Sequence, residues 1–196
     1  DVDAGSNLGA QKPAFTGDRT LRDGFGDTTG LATTYDFFEG FLNVAAVRDS
    51  IRQSALDLCR VAQLVRQPGL DLSALGAGAR LDPGRVAYLG ESFGTVVGTL
   101  FAAIEPDVDL FVLDVPGGGV LDLILPNSAE IGALALPLVA SIYSPAAPID
   151  RFSPLIGLMQ AVLDGADPLT YAPHVLRDRF AIGGRELPPR SVVALE

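Results

Sequence analysis

Apolar residues fall at positions 44, 47, 51, 55, 58, 62 and 65, a repeat of three and four that predicts an amphipathic helix from Val44 to about Val65. Pro68-Gly69 ends it, because proline cannot continue a helix and glycine readily leaves one. The pattern then changes period. Val86 to Leu89 and Leu110 to Val115 are short, continuously apolar runs bounded by turn residues, the mark of strands buried on both faces. Between them an apolar, small-residue stretch predicts a helix reaching about Ile104, and Ser191 to Leu195 predicts a third strand. Helix, turn, buried strand, helix and buried strand in that order imply βαβ connections and a parallel sheet, so the expected fold class is α/β.

The remaining segments carry weaker patterns. Residues 1–43 hold no lasting period and are expected to be an extended loop region, with aromatic residues concentrated in Tyr35-Asp-Phe-Phe-Glu-Gly-Phe41. That cluster suits either an acyl-binding surface or lid, or a staple that packs a loop onto the core. Residues 119–165 are apolar and punctuated by Pro126, Pro137, Pro145, Pro148 and Pro154, with helical pieces expected at about 129–143 and 153–164. Residues 166–196 are expected to be a polar connector, from Pro168 to Gly184, followed by the last strand. All of this fits one domain.

The candidate chemistry lies at the junction of the first strand and its helix, in Arg85-Val-Ala-Tyr-Leu-Gly-Glu-Ser92-Phe-Gly-Thr-Val-Val-Gly98. Gly90-Glu91-Ser92-Phe93-Gly94 is a G-x-S-x-G sequence, which in a strand-to-helix setting forces the serine hydroxyl out at the end of a sheet. Glycine at 90 and 94 is expected because a Cβ there would collide where the backbones approach, and Gly98 would let the helix lie close on the sheet. A chain with 22 glycines and this serine content would contain the five-residue pattern by accident roughly one time in eight, so its flanking strand and helix give it meaning.

Through these residues the chain resembles part of an α/β-hydrolase of the serine esterase or lipase type, mainly over residues 44–118. The resemblance implies Ser92 as nucleophile and the Phe93 amide as one oxyanion donor. It implies a catalytic order of serine, then Asp or Glu, then histidine along the chain. It also implies that residues 119–165 form a cap or lid, that no cofactor or metal is needed, and that the substrate is an acyl ester. The third strand would be the acid-bearing one, and the sequence ends at Glu196, about where the acid loop would begin. The strand expected before the second oxyanion loop has no counterpart in residues 1–43. The sequence is therefore expected to be the middle of such a fold, an incomplete hydrolase with a helical cap, in contact with the remainder of the same protein.

Within the sequence itself, His174 is the only histidine and hence the only internal candidate for a general base. Asp114, at the end of the second strand, is the matching candidate acid, since a minority of lipases carry the acid there. Both positions also suit plain structural roles, His174 as a capping or surface residue and Asp114 as a strand-end carboxylate. Glu91 reads as a local hydrogen-bonding partner, and Gly117-Gly118-Gly119 as a turn at the strand's end.

Charge and composition narrow the classes. A net charge of −10, with 14 basic against 24 acidic residues, disfavours nucleic-acid binding. The single cysteine, Cys59, excludes an internal disulfide and leaves the compartment open. Asp1, Asp3, Asp23 and Asp27 lack the spacing and closing glutamate of a calcium loop. The apolar run Ile131 to Tyr143 contains Pro137 and falls short of a bilayer span, although an apolar cap is compatible with a lipid interface. Two further functional classes stay open: an acyltransferase, thioesterase or peptidase using the same serine, and a catalytically incomplete module that docks on a membrane or partner.

Overall fold

The computed structural model describes residues 43–70, 72–121, 137, 149–150 and 152–195. Its elements are α1 (Val44–Arg66), β1 (Ala87–Glu91), α2 (Phe93–Ile104), β2 (Leu110–Asp114), α3 (Pro154–Leu163), α4 (Pro168–Leu176), β3 (Ala181–Ile182), β4 (Arg185–Glu186) and β5 (Ser191–Leu195). Backbone packing separates the described residues into two units. One holds 43–50 with the described parts of 119–165, and the other 51–118 with 166–195. The Tyr35–Phe41 cluster and the helix expected at 129–143 lie outside the described residues.

The second unit is built on a parallel sheet in the order β1-β2-β5. Registration is continuous: Ala87, Leu110 and Ser191 align at one end, and Glu91, Asp114 and Leu195 at the other. It is set from the start of β1, where the Val86 and Asp109 backbones bond at 2.8 Å and the Val86 amide donates to the Asp109 carboxylate at 2.9 Å. Because side chains alternate across a strand, Tyr88, Gly90, Phe111 and Leu113 share one face. Helix α2 packs on β1 and β2 and against α4, and on this side Phe111 is fully buried. Tyr88, Phe101 and Phe111 form a cluster of tilted and edge-on rings with centroids 5.4 to 6.0 Å apart, the arrangement ring quadrupoles favour. The opposite face carries Leu89, Val193 and Leu195, which are 72, 44 and 45% exposed.

Helix α4 departs from the polar connector expected at 168–184. Asp167 caps it, accepting the Leu169 amide at 2.9 Å, and Pro168 occupies its first turn where no amide partner is needed. Proline at 173 falls inside the helix. The short antiparallel pair β3–β4 follows, turned by Gly183 and Gly184 at positive φ. Arg190, 8% exposed, ties the end of this connector to the end of α2 by donating to the Glu105 and Pro106 carbonyls. A buried guanidinium in this role satisfies carbonyls that a helix C-terminus leaves without intrahelical partners.

In the first unit Val47, Leu121, Ile156, Met159 and Leu163 are buried, and the Gln160 side chain accepts the Leu121 amide at 2.8 Å. Helix α3 matches the helix expected at 153–164. Among the described residues no helix is long and apolar enough to cross a membrane.

Candidate active site

Three parallel strands end on the same edge of the sheet, so Ser92 after β1 and Val115 after β2 stand side by side there. Ser92 has φ 49° and ψ −114°, a left-handed conformation that a residue with a Cβ avoids. Such strain costs about 1–3 kcal/mol and persists only where the surroundings impose it. Here they do. The Ser92 amide donates to the Asp114 carbonyl at 3.1 Å, and the Ser92 carbonyl accepts the Thr95 amide at 2.9 Å and the Thr95 hydroxyl at 2.6 Å. Ser92 holds the N-cap position of α2, where a serine side chain normally accepts a backbone amide, yet its side chain makes no capping bond. Ser92 is exposed.

The glycines separate into different roles. A Cβ on Gly90 would come within 2.6 Å of the Gly94 carbonyl oxygen and 2.8 Å of Tyr88 Cε1. On Gly98 it would meet Tyr88 Cε1 at 2.5 Å and Leu113 Cδ2 at 3.0 Å. The close approach of helix to sheet is thus real, but the Tyr88 ring occupies much of it, and the Tyr88 hydroxyl donates to the Gly94 carbonyl at 2.7 Å. Burial pushes the Tyr88 hydroxyl pKa up, keeping it a donor. At Gly94 the expected collision is absent: its nearest contact would be Tyr88 Oη at an ordinary 3.7 Å.

Phe93 opens α2 directly beside the serine, its side chain 43% exposed, so its amide sits at the positive end of the helix dipole. Asp114 is brought to Ser92 through its carbonyl, and its side chain shares the sheet face of its register mate Glu91. Gly117-Gly118-Gly119 passes beside the first turn of α4, where a Cβ on Gly118 would fall 2.9 Å from the Leu169 amide nitrogen and 3.1 Å from Asp167 Oδ1. Val115 is strained as well, at φ 56°, which is rare for a β-branched residue.

His174 is placed elsewhere. It lies in the last turn of α4, its Nδ1–H donates to the Asp178 carbonyl at 2.5 Å, and its ring stacks on Phe180 at 4.1 Å. The Arg179 guanidinium bonds both the His174 carbonyl and the Ala102 carbonyl, fixing His174 beside the end of α2 farther from Ser92. Ala102 stands ten positions after Ser92, a rise of roughly 15 Å along the helix. Ser92 and Asp114 therefore come together, and the structure does not bring His174 to them.

Cys59 shows no sign of a reactive thiol. Burial, followed by the charge and hydrogen bonding of Glu105, pushes its pKa from 9.0 up to about 12. Among the described residues no group of three or more His, Cys, Asp or Glu side chains could hold a metal ion. Comparison with family models, with curated proteins and with solved structures returns no match. The geometry of the β1–α2 turn is consequently the main guide to chemistry. Thr95, Tyr88 and Val115, which shape it, did not stand out in the sequence as site residues.

Proposed function

We propose that the chain is the nucleophile-bearing part of a serine hydrolase acting on acyl esters, with Ser92 forming the acyl-enzyme. The observation that carries this reading is the left-handed Ser92, exposed on a β1–α2 turn at the C-terminal edge of a parallel sheet, with its hydroxyl not used to cap the helix. Strain at a polar residue in such a place has a use if a hydroxyl must reach a substrate from a rigid support. In the proposed step the Ser92 Oγ attacks the ester carbonyl carbon, its proton passes to a general base, and the Phe93 amide donates to the oxyanion. Collapse of the tetrahedral intermediate expels the alcohol, which takes that proton, and water then releases the acid by the same route.

In this reading His174, held at the far end of α4, does not serve as that base. Asp114 remains the internal candidate for the acid, through its place at the end of the strand beside Ser92. An acyl chain of appreciable length belongs to the same proposal. The placement of the sole histidine also supports a second reading, a catalytically incomplete module that binds a partner or membrane. Hydrolysis of p-nitrophenyl esters of graded acyl length by the native polypeptide separates the two. The first expects turnover that Ser92→Ala lowers by about 10⁴-fold or more, whereas the second expects no turnover that depends on Ser92.

A further inference from the structure

A peptide unit is planar, so whatever holds its carbonyl oxygen also aims its N–H. The unit joining Ser92 to Phe93 carries the Ser92 carbonyl at one end and the proposed oxyanion-binding amide at the other. Thr95 supplies two donors to that carbonyl: its amide at 2.9 Å and its hydroxyl at 2.6 Å. Thr95 is 1% exposed, so water does not compete for the bond. The hydroxyl has one proton and two carbonyls within reach. The Val115 oxygen lies at 3.5 Å, which assigns the proton to Ser92.

A second observation points to the same side chain. Among the described residues only Ser92 and Val115 are non-glycine residues with positive φ, and the carbonyls of both face the Thr95 hydroxyl. Rotation of the Ser92–Phe93 peptide plane would swing the Phe93 amide away from the serine. The Thr99 hydroxyl donates to the Thr95 carbonyl at 2.8 Å, adding a further tie one turn along α2.

We propose that Thr95 is a positioning residue whose hydroxyl locks the Ser92–Phe93 peptide plane and thereby aims the Phe93 N–H at the oxyanion. The hydroxyl touches neither substrate nor reacting atoms. Its effect appears where charge develops, as lost transition-state stabilisation with ground-state binding unchanged. This inference rests on Ser92 being the nucleophile.

The test compares Thr95→Val, which keeps the shape and removes the hydroxyl, with Thr95→Ser, which restores it, in the native polypeptide. Removing an oxyanion donor costs about 10²- to 10³-fold, and misaiming one is expected to cost less, about 10- to 100-fold in kcat, with KM within about 2-fold. Thr95→Val is also expected to weaken binding of a trifluoromethyl ketone, which forms an oxyanion adduct with serine, by a similar factor, while Thr95→Ser returns both quantities to within about 3-fold. If Thr95→Val does not fold, Thr95→Ala takes its place in the comparison with Thr95→Ser. A folded variant lacking the hydroxyl that keeps the original kcat overturns the proposal, as does a serine variant that fails to rescue. If the unaltered protein shows no reactivity at Ser92, the hydrolase reading falls and this inference with it; reactive Ser92 with an indifferent Thr95 removes this inference alone.

Discussion

The hydroxyl of Tyr88 donates to the carbonyl of Gly94 at 2.7 Å, joining the middle of a strand to the first turn of the helix it precedes. The bond crosses the turn that holds Ser92, so the strained residue is braced from the sheet side as well as from the helix. Tyr88→Phe keeps the ring against Phe101 and Phe111 and removes only this bond. Its expected cost is about 1 kcal/mol of stability, measured by urea unfolding, with the m-value unchanged.

The three glycines along the same track are expected to differ. Gly90→Ala forces a Cβ to 2.6 Å from a backbone oxygen, which rigid strand and helix cannot yield, and is expected to cost 3 kcal/mol or more, roughly, or to prevent folding. Gly98→Ala drives into the Tyr88 ring at 2.5 Å and is expected to cost about 1–3 kcal/mol. Gly94→Ala meets only an ordinary 3.7 Å contact and is expected to stay within about 1 kcal/mol of the original. Thermal melts of the three variants check the ranking.

Backbone strain gives a prediction that contact counting would miss. Because the Ser92 side chain makes no capping bond, Ser92→Ala is expected to leave stability nearly unchanged. Ser92→Gly, which tolerates φ 49°, is expected to be more stable than Ser92→Ala by about 1 kcal/mol. Val115→Gly is expected to gain similarly, offset in part by glycine's larger unfolded-state entropy. Denaturant titrations of the three variants read these differences directly.

Cys59 has a folded-state pKa near 12 against 9.0 for an ordinary thiol, because burial and then Glu105 disfavour the thiolate. Its contribution to stability is therefore fully present below about pH 9 and is lost as pH rises towards 12. At pH 8 its reaction with Ellman's reagent is expected to be about 10²- to 10³-fold slower in the native protein than in urea. Equal rates would place the thiol in a different environment.

Much of the sheet unit was legible because its signals were local and repeated. The stripe at 44, 47, 51, 55, 58, 62 and 65 became α1, and the apolar runs became β1 and β2, registered in parallel with β5. Helix α4 lies where the polar residues of 168–184 pointed to a connector, although Asp167-Pro168 carries an N-cap and first-turn signature. At the site, Gly90 and Ser92 follow from the turn they must make. The locking contacts do not: Thr95 reaching the Ser92 and Val115 carbonyls depends on two strands ending side by side, which no local pattern encodes. The distance of His174 from Ser92 likewise became visible only once α4 was seen to run beside α2.

The most direct test of the account is to treat the native polypeptide with a fluorophosphonate, digest it and locate the adduct by mass spectrometry. The expected result is one adduct on the peptide containing Ser92, abolished by Ser92→Ala and by prior unfolding in urea. Absence of an adduct at Ser92, or labelling of other serines that persists in Ser92→Ala, would contradict the claim that this bend presents a nucleophile.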